Sequence, residues 1–317
     1  MAAESCPACG ARADGSRWAT SSDGLSRHRL LRCSFCGSEV LDDELPDAID
    51  DPDLYERGVY RAPGGRVDRM LEPWRRLVDR DRLRLLGRLP SSARVIEVGA
   101  GRGRLLTALS SRGHGASGIE PSGASAAAAQ ARGLEVQRLP VEAAEFPADS
   151  AELVVFWHVL EHLGDPGAAL RLAGSWLTRG GRVVVAVPNR NSLQAKLGGD
   201  RWFHQDVPRH RIQFTEVGLL ELLRANGYVP GRARHLMVDQ NPLGMWLTLI
   251  NRLTKERDVP FRLLKRALQY ERRSDAIRDA LIVAIVSLPL LPVALVLEAL
   301  AGIARRGGTI VVHASPA

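Results

Sequence analysis

The alternation of strand and helix patterns between residues 94 and 187 constrains the fold of this chain more than any other feature. The predicted strands are Arg94–Val98, Gly115–Glu120, Leu134–Leu139, Glu152–Trp157 and Arg182–Val187. The predicted helices are 103–112, Ser122–Arg132 and Pro166–Leu177. This pattern predicts an α/β fold, a Rossmann-like doubly wound sheet with helices on both faces. Ligands of such sheets bind at the carboxyl ends of the strands, near the point where the strand order reverses.

A glycine-rich loop, Glu97-Val98-Gly99-Ala100-Gly101-Arg102-Gly103, follows the first of these strands and opens a helix. Gly99 permits the tight turn, and Gly101 lets the backbone approach a ligand closely. The free N–H groups at the start of the helix face that ligand. The loop therefore predicts a binding site for a nucleoside-containing cofactor.

Two carboxylates indicate which cofactor this loop would hold. Glu120 ends the next strand, where a carboxylate can accept both hydroxyls of a ribose. Glu97 stands directly before the loop, where it would repel the pyrophosphate of a nicotinamide dinucleotide. It suits instead a ligand with a cationic amino-acid moiety.

Together with the downstream segments, this loop resembles the class I S-adenosylmethionine-dependent methyltransferases, over about residues 92–237. Segment 155–166 (Val-Phe-Trp-His-Val-Leu-Glu-His-Leu-Gly-Asp-Pro) is similar to the fourth-strand motif of their ubiquinone-biosynthesis-like and sugar methyltransferase branch. Val141–Phe146 resembles their adenine-contacting loop, with Glu142 where many relatives carry Asp. The resemblance implies S-adenosylmethionine as the methyl donor. It implies donor contacts at Glu97, Gly99, Ala100, Gly101, Gly103, Glu120, Pro121, Val141, Glu142, Trp157 and His158.

All four cysteines lie near the N-terminus, as two Cys-x-x-Cys pairs: Cys6, Cys9, Cys33 and Cys36. Four thiolates offer a closed tetrahedral set to one ion, which predicts a structural Zn²⁺ site. The start of the chain carries no secretory signal pattern, so we expect a cytoplasmic protein with reduced thiols. A zinc ribbon before such a domain resembles deoxysugar C-methyltransferases. That resemblance implies that the ribbon forms one wall of the acceptor site and that Tyr55 and Tyr60 close over the acceptor.

Histidines dominate the predicted acceptor side. His158 and His162 follow the fourth strand, and segment 201–210 follows the fifth strand with two more histidines, aromatics, an acid and two arginines. Methyl transfer to oxygen or carbon benefits from a base near neutral pKa. We therefore predict catalytic roles among His158, His162, His204 and His210. Trp202, Asp206 and Arg209 are predicted to contact the substrate, with Arg209 clamping an anion.

The segment Ala280–Leu297 is eighteen residues long, carries no charge and is flanked by arginines. Pro289 and Pro292 predict that its helix is broken there. Residues 251–278 carry nine basic and four acidic side chains around apolar residues, which favours an interfacial membrane anchor. The alternatives are a lid packed on the protein and a dimer face. In the family's fold, the strand at 307–313 would pair beside one at Gly231–Met237, so the apolar segment would be an insertion on one side of any membrane.

The predicted organisation has five parts. They are a zinc ribbon (1–45), a linker and leading helix (46–90), a methyltransferase core (91–238), a basic and apolar helical insertion (239–306) and a final core strand (307–317). The predicted function is methylation of a small-molecule acceptor, such as a sugar, a lipid-linked glycan or a quinone-like compound. RNA or other nucleic-acid methylation is an alternative, given the net charge of +7. A non-catalytic donor-binding scaffold is another. Peripheral membrane contact through 251–306 is predicted, and the oligomeric state stays open.

Overall fold

A computed structural model describes residues 5–21, 26–42, 66–264, 270 and 272–317. Tyr55 and Tyr60 lie outside these residues. The strands are β1 (Ala13–Thr20), β2 (Arg27–Cys33), β3 (Glu39–Leu41), β4 (Arg94–Val98), β5 (Gly115–Ile119), β6 (Glu135–Gln137), β7 (Ala151–Trp157), β8 (Leu177–Pro188), β9 (Ile212–Gln213), β10 (Tyr228–Pro230) and β11 (Thr309–Pro316). The helices are α1 (Arg66–Leu86), α2 (Arg104–Ser110), α3 (Gly123–Gln130), α4 (Pro166–Trp176), α5 (Leu193–Gly198), α6 (Glu216–Ala225), α7 (Gln240–Asn251), α8 (Val259–Leu264) and α9 (Arg273–Ile303).

The central sheet has seven strands in the order β10-β11-β8-β7-β4-β5-β6. Strands β4 to β8 are parallel, and β11 runs antiparallel between β8 and β10. From β4 the chain moves outward to β5 and β6, then returns to the other side of β4 with β7 and β8. The predicted doubly wound α/β sheet is therefore confirmed, and its strand order reverses between β4 and β7.

Both faces of this sheet are covered by helices, as the unbroken apolar strands predict. Along β7, Val154 and Phe156 belong to one buried cluster, and Val155 and Trp157 belong to the other. Each such side chain contributes about 1.5–3 kcal/mol through burial. The rigid sheet formed in this way holds the loops that follow β4, β5 and β7 in fixed positions.

The cysteine-containing segment docks against the core through a second sheet, in the order β1-β2-β3-β9. Its last strand, β9, comes from the core chain and pairs with β3. Arg17 of β1 forms an ion pair with Asp200 at 2.9 Å, and Ser38 accepts a hydrogen bond from the Thr215 backbone N–H at 3.2 Å. The segment is thus fixed beside the 199–213 loop.

The strand expected at Gly231–Met237 is wrong. The edge strand is β10, and beyond it only Arg234 makes an isolated bridge, to Val311. His235 is buried and its Nε2 lies 3.0 Å from Glu216, while its carbonyl accepts from Asn241. These side-chain contacts turn the segment away from the sheet after one bridge.

The break expected at Pro289 and Pro292 is also wrong, because α9 runs through both prolines as one 31-residue helix. Both prolines are exposed, and the Trp246 ring N–H of α7 donates to the Ser287 carbonyl at 2.7 Å. The packing of α9 along α7, which includes this contact, supports the helix through the proline pair. Within the described residues, α9 is the one helix long and apolar enough to cross a membrane by length and composition.

Candidate donor and acceptor site

The glycine loop after β4 leaves an open space at its centre. Gly99, Gly101 and Gly103 all have positive φ, which favours glycine. A Cβ on Gly99 would meet Val159 at 2.5 Å, and one on Gly103 would meet Leu134 at 2.2 Å. A Cβ on Gly101 would meet nothing within 4 Å. The outer two glycines are therefore required for packing, and Gly101 is the position that a ligand can approach.

Glu120 follows β5 and reaches into this loop. Its Oε2 accepts the Gly101 backbone N–H at 2.7 Å, and its Oε1 accepts the Ser122 N–H at 2.8 Å. A carboxylate oxygen has two lone pairs, so both oxygens retain capacity for ribose hydroxyls. Glu120 thus fixes the loop and stands at the position expected for the ribose.

Glu97 is buried at the end of β4, and its Oε2 has no hydrogen-bond partner among the described residues. Burial raises the pKa of Glu97 to about 8, with Arg82 opposing the shift and Glu120 adding to it. An unpartnered buried carboxyl next to an open loop suits a ligand that brings a positive charge. The ammonium group of an amino-acid moiety has that chemistry.

Trp157 ends β7 with its ring on the α1 side of the sheet. Its Nε1–H donates to Asp239 at 2.9 Å, and Arg82 lies over its ring at 5.3 Å and pairs with the same carboxylate at 2.6 Å. This group closes the side of the site near Glu97. These protein partners hold the Trp157 ring in place. Its predicted contact with the donor stays a prediction.

The predicted adenine-contacting segment forms a short 3-10 turn at Val141–Ala143. Val141 is buried, Glu142 is exposed and Pro121 is half-buried after β5. The predicted contacts of these three residues with the donor stay predictions.

His158 stands directly after β7 with φ +57°, a strained conformation for a residue other than glycine. Its backbone N–H is held by the Ala186 carbonyl at 2.9 Å. Its Nδ1 lies 3.1 Å from Glu161 Oε1, while its buried Nε2 has no partner among the described residues. Burial would raise the pKa of Glu161, but the hydrogen bond from His158 and the charges of the nearby histidines lower it to about 2. An ionised carboxylate on Nδ1 leaves Nε2 as the proton acceptor.

The other three predicted histidines gather around this pair. The ring of His204 stacks on that of His158 at 5.8 Å, and the ring of His210 meets that of His162 edge-on at 4.7 Å. Burial lowers the pKa of His204 and also that of His210, the latter to about 4. Both are therefore neutral near pH 7, and their surroundings disfavour the imidazolium that a base must form.

Ligand atoms of Glu161, His162 and His210 lie within 4.8 Å of one another, so this cluster could hold one cation. Nδ1 of His162 contacts the Arg209 carbonyl, and Nδ1 of His210 contacts the His204 carbonyl. Such contacts orient the two rings through their Nδ1 atoms.

The remaining predicted acceptor residues differ in their surroundings. Trp202 is fully buried, so it supports the acceptor loop from behind. Asp206 and Arg209 form an ion pair with each other, which competes with the predicted anion clamp. The 199–210 loop thus meets the end of β7 through its histidines.

The four cysteines come together as predicted, with their Sγ atoms within 4.8 Å of one another. Cys6 and Cys36 Sγ are 3.8 Å apart, and Cys9 and Cys33 Sγ are 3.4 Å apart. Four convergent sulfur atoms from two turns are the donor set that suits Zn²⁺. The cluster lies in the ribbon rather than at the donor loop.

The sequence analysis did not identify three residues that contact the candidate site: Glu161, Arg82 and Asp239. Glu161 had a usable signal, because it stands three residues after His158 in the fourth-strand motif. Arg82 and Asp239 are separated by 157 positions and have no local signal that joins them.

Comparisons with known proteins identify the family of this chain. A family model described as a methyltransferase domain matches residues 70–230, about half of the chain. The ubiquinone biosynthesis O-methyltransferase of Aeromonas salmonicida is 32% identical over 147 residues, 42% of this chain and 62% of the relative. The protein of the same name from Erwinia tasmaniensis is 30% identical over 164 residues, 47% of this chain and 66% of the relative. This chain thus spans slightly less than two thirds of these relatives.

Among solved structures, a Thermotoga maritima protein is similar, with 15% identity and a TM-score of 0.49. It is described as an S-adenosylmethionine-dependent methyltransferase and possible histamine N-methyltransferase, and the match covers 86% of this chain and all of that one. Since the family model spans the donor loop, the fourth-strand motif and every strand of the central sheet except β11, this chain belongs to the methyltransferase domain family, among the class I S-adenosylmethionine-dependent methyltransferases.

Proposed function

We propose that this protein transfers the methyl group of S-adenosylmethionine to a small-molecule acceptor by in-line displacement. The main support is the open space at Gly101, which lies between the carboxylates of Glu97 and Glu120. The buried Glu97 also has one carboxylate oxygen without a hydrogen-bond partner among the described residues. Glu120 would bind the ribose, and Glu97 the ammonium of the methionine moiety. Holding the methyl group in line with the nucleophile supplies much of the acceleration.

His158 is the proposed proton acceptor. As the acceptor's oxygen, nitrogen or carbon bonds to the methyl carbon, the carbon–sulfur bond breaks and the donor leaves as a neutral thioether. The acceptor's proton passes to His158 Nε2, and the Glu161 carboxylate stabilises the imidazolium. His204 and His210, kept neutral by burial, shape the wall beside it.

An amphiphilic acceptor, such as a quinone-like compound or a lipid-linked glycan, is favoured over a free sugar. Two observations support this choice. The similar curated proteins carry ubiquinone biosynthesis in their names. Helix α9 also exposes a row of large apolar side chains, among them Ile285 (70% exposed), Leu288 (77%) and Ile303 (71%). A soluble protein seldom leaves so large an apolar surface uncovered.

We propose that α9 lies on a membrane surface with this row in the lipid, on the cytoplasmic face where the donor is made. Its protein-facing side recurs at helical spacing through Asp279, Ala294, Glu298 and Ala301. Arginines flank the apolar stretch at both ends, as in interfacial helices that contact anionic lipid. The ribbon cysteines are proposed to bind one structural Zn²⁺.

Calorimetric titration with S-adenosylmethionine tests the donor site. Gly101→Ala places a methyl group in the space proposed for the donor, so we expect at least tenfold weaker binding. Gly113→Ala is the matched control, because Gly113 also has positive φ with nothing within 4 Å but lies beyond α2. Equal affinity in both variants, or no binding by the wild type, would reject the donor site.

Labelled donor tests the acceptor class. Methyl-tritiated S-adenosylmethionine is incubated with the protein and with separated lipid, water-soluble and RNA fractions of a bacterial extract. Label in the lipid fraction supports the proposal, and label in the water-soluble fraction indicates a free sugar or similar acceptor. Label in RNA would favour the nucleic-acid alternative. Donor binding without transfer to any fraction would favour the non-catalytic scaffold.

A further inference from the structure

A cavity of about 610 Å³ lies between the ribbon, the loop after β8, the start of α6 and the end of α9. No residue of its lining belongs to the donor loop or to the histidine cluster. Its charged lining consists of five basic side chains and two carboxylates: Arg32, Arg190, Lys196, Arg305, Arg306, Glu39 and Glu216. We propose that this basic cavity binds the phosphate of an anionic phospholipid headgroup.

Both carboxylates of the cavity are already neutralised by protein partners. Glu39 accepts hydrogen bonds from Arg17 at 2.6 Å and from Arg190 at 2.9 Å. Burial alone would raise the pKa of Glu39, but these two arginines lower it. Glu216 pairs with Arg305 and with His235. Neither carboxylate is left to offset the other basic groups of the lining.

Three of the basic side chains have no carboxylate partner in the part of the chain that the structure describes: Arg32, Lys196 and Arg306. They come from the ribbon, from α5 and from the turn that follows α9, so three separate parts of the chain bring unpaired positive charge to one cavity. Like charges brought together in this way repel one another, and an anion bound between them offsets that repulsion. A phosphate group matches this charge, and Arg and Lys both bind phosphate.

The surroundings of the cavity favour a phospholipid over a free phosphate. Arg305 and Arg306 follow directly on the exposed apolar row of α9, of which Leu300 is 57% exposed and Ile303 is 71% exposed. A ligand with a phosphate next to acyl chains would use both surfaces at once. Basic clusters immediately beside a membrane-contacting helix bind anionic lipids through this combination. This inference rests on the membrane contact proposed above but not on methyl transfer.

Vesicle flotation with the full-length protein tests the site. The probes are vesicles of phosphatidylcholine alone and of phosphatidylcholine with phosphatidylglycerol. The double variant Lys196→Gln/Arg306→Gln removes two unpaired cavity charges. Each basic residue near an anionic surface contributes about fivefold in affinity, so we expect about 30-fold weaker binding to the anionic vesicles.

The matched control is Arg88→Gln/Arg179→Gln, which removes the same net charge at exposed positions near the amino end of β8. About 23 Å of strand separates Arg182, near that end, from Asn189 in the cavity lining. We expect this control to bind anionic vesicles within about twofold of the wild type. Thermal unfolding of both variants should match the wild type, since none of the four side chains has a carboxylate partner among the described residues.

Three results would overturn the headgroup site. These are an equal loss in the two double variants, equal wild-type binding to neutral and anionic vesicles, and tight binding of inorganic phosphate that does not compete with vesicles. A wild type that binds no vesicles overturns the membrane contact as well. Donor titration of the same samples reports separately on the methyltransferase proposal.

Discussion

His158 has a strained backbone. Its Nδ1 contacts Glu161, and its Nε2 has no partner among the described residues. Its φ of +57° turns the chain sharply after β7, and its ring lies against Glu161 and the His204 ring. Asn adopts positive φ more readily than most residues, so His158→Asn keeps the backbone while removing the imidazole. We expect a 10²- to 10⁴-fold slower methyl transfer with donor affinity almost unchanged. The measurement is the rate of label transfer, with calorimetry for the donor.

His114→Asn is the control for that substitution, because His114 lies just before β5, at the opposite end of the sheet. It should transfer methyl at the wild-type rate. Glu161→Gln should reproduce much of the loss, since the carboxylate orients the ring. If His158→Asn retains full activity while His204→Asn or His210→Asn loses it, the base is misassigned.

Glu97 links donor binding to pH. Its pKa is raised from 4.5 to about 8 by burial, so the folded, donor-free protein keeps a proton that the unfolded chain releases above pH 4.5. The folded state binds more protons in this window, so stability should fall as pH rises from about 4.5 to about 8. Glu97→Gln should flatten this slope in thermal unfolding.

The same group predicts proton release when the donor binds. Near pH 6.5 the donor's amino group is already protonated, so an ammonium placed against Glu97 should expel the carboxyl proton. Calorimetry in buffers of different ionisation enthalpy should show up to one proton released by the wild type and none by Glu97→Gln. Equal proton release in the two proteins would place the ammonium elsewhere.

Whether a residue of this site could be predicted depends on how far along the chain its partners lie. The loop glycines and Glu120 were predictable, because a turn between a strand and a helix has local requirements for φ and for acceptors. The Arg82–Asp239 pair was not, because it exists only after α1 packs beside the end of β7. Tyr55 and Tyr60 fall outside the described residues, and their roles stay predictions.

At the level of elements, the ribbon sheet connects the cysteine cluster to the acceptor loop through the β3–β9 pairing. Small zinc domains gain about 10–16 kcal/mol from their ion, so zinc removal should unfold this sheet. We expect one Zn²⁺ per chain by elemental analysis and a lower Tm after chelation or in Cys9→Ser. Donor affinity should persist, because the donor loop belongs to the other sheet.

Ser34→Ala is the matched control, since Ser34 lies in the second cysteine turn but is exposed and offers no sulfur. It should keep both the zinc and the Tm. A protein that contains no zinc, or that has the same Tm with and without the ion, would contradict a structural zinc site.

Element boundaries departed from the predictions where tertiary contacts outweighed local preference. Prolines predict a helix break from backbone chemistry alone, but α9 packs along α7, and the Trp246 ring N–H donates to the Ser287 carbonyl two residues before Pro289. The 231–237 segment has a plausible strand composition, yet the contacts of His235 draw it off the sheet edge. The Trp246 partner of α9 and the Glu216 partner of His235 cannot be identified from the local sequence of either segment.

At the scale of the whole molecule, the two ends of α9 are fixed to the same body. Its 31 residues make a rod about 46 Å long, longer than the hydrocarbon core of a bilayer. Near the N-terminal end, Asp279 accepts the backbone N–H groups of Lys255 and Glu256 at 2.9 Å. Near the other end, Glu298 accepts the Gly308 N–H at 2.7 Å, directly before β11 enters the sheet.

These anchors predict that α9 lies along a membrane instead of crossing it. Single cysteines at exposed positions flanking the apolar row, Ser274→Cys and Ala304→Cys, should both react with an impermeant maleimide added outside protein-bound vesicles. An environment-sensitive dye on Leu288→Cys should report an apolar surrounding in the same samples. If one flanking cysteine is protected until detergent is added, α9 crosses the bilayer. Crossing would require pulling the buried carboxylates Asp279 and Glu298 from their partners and would separate β11 from β8, so the fold itself opposes that arrangement.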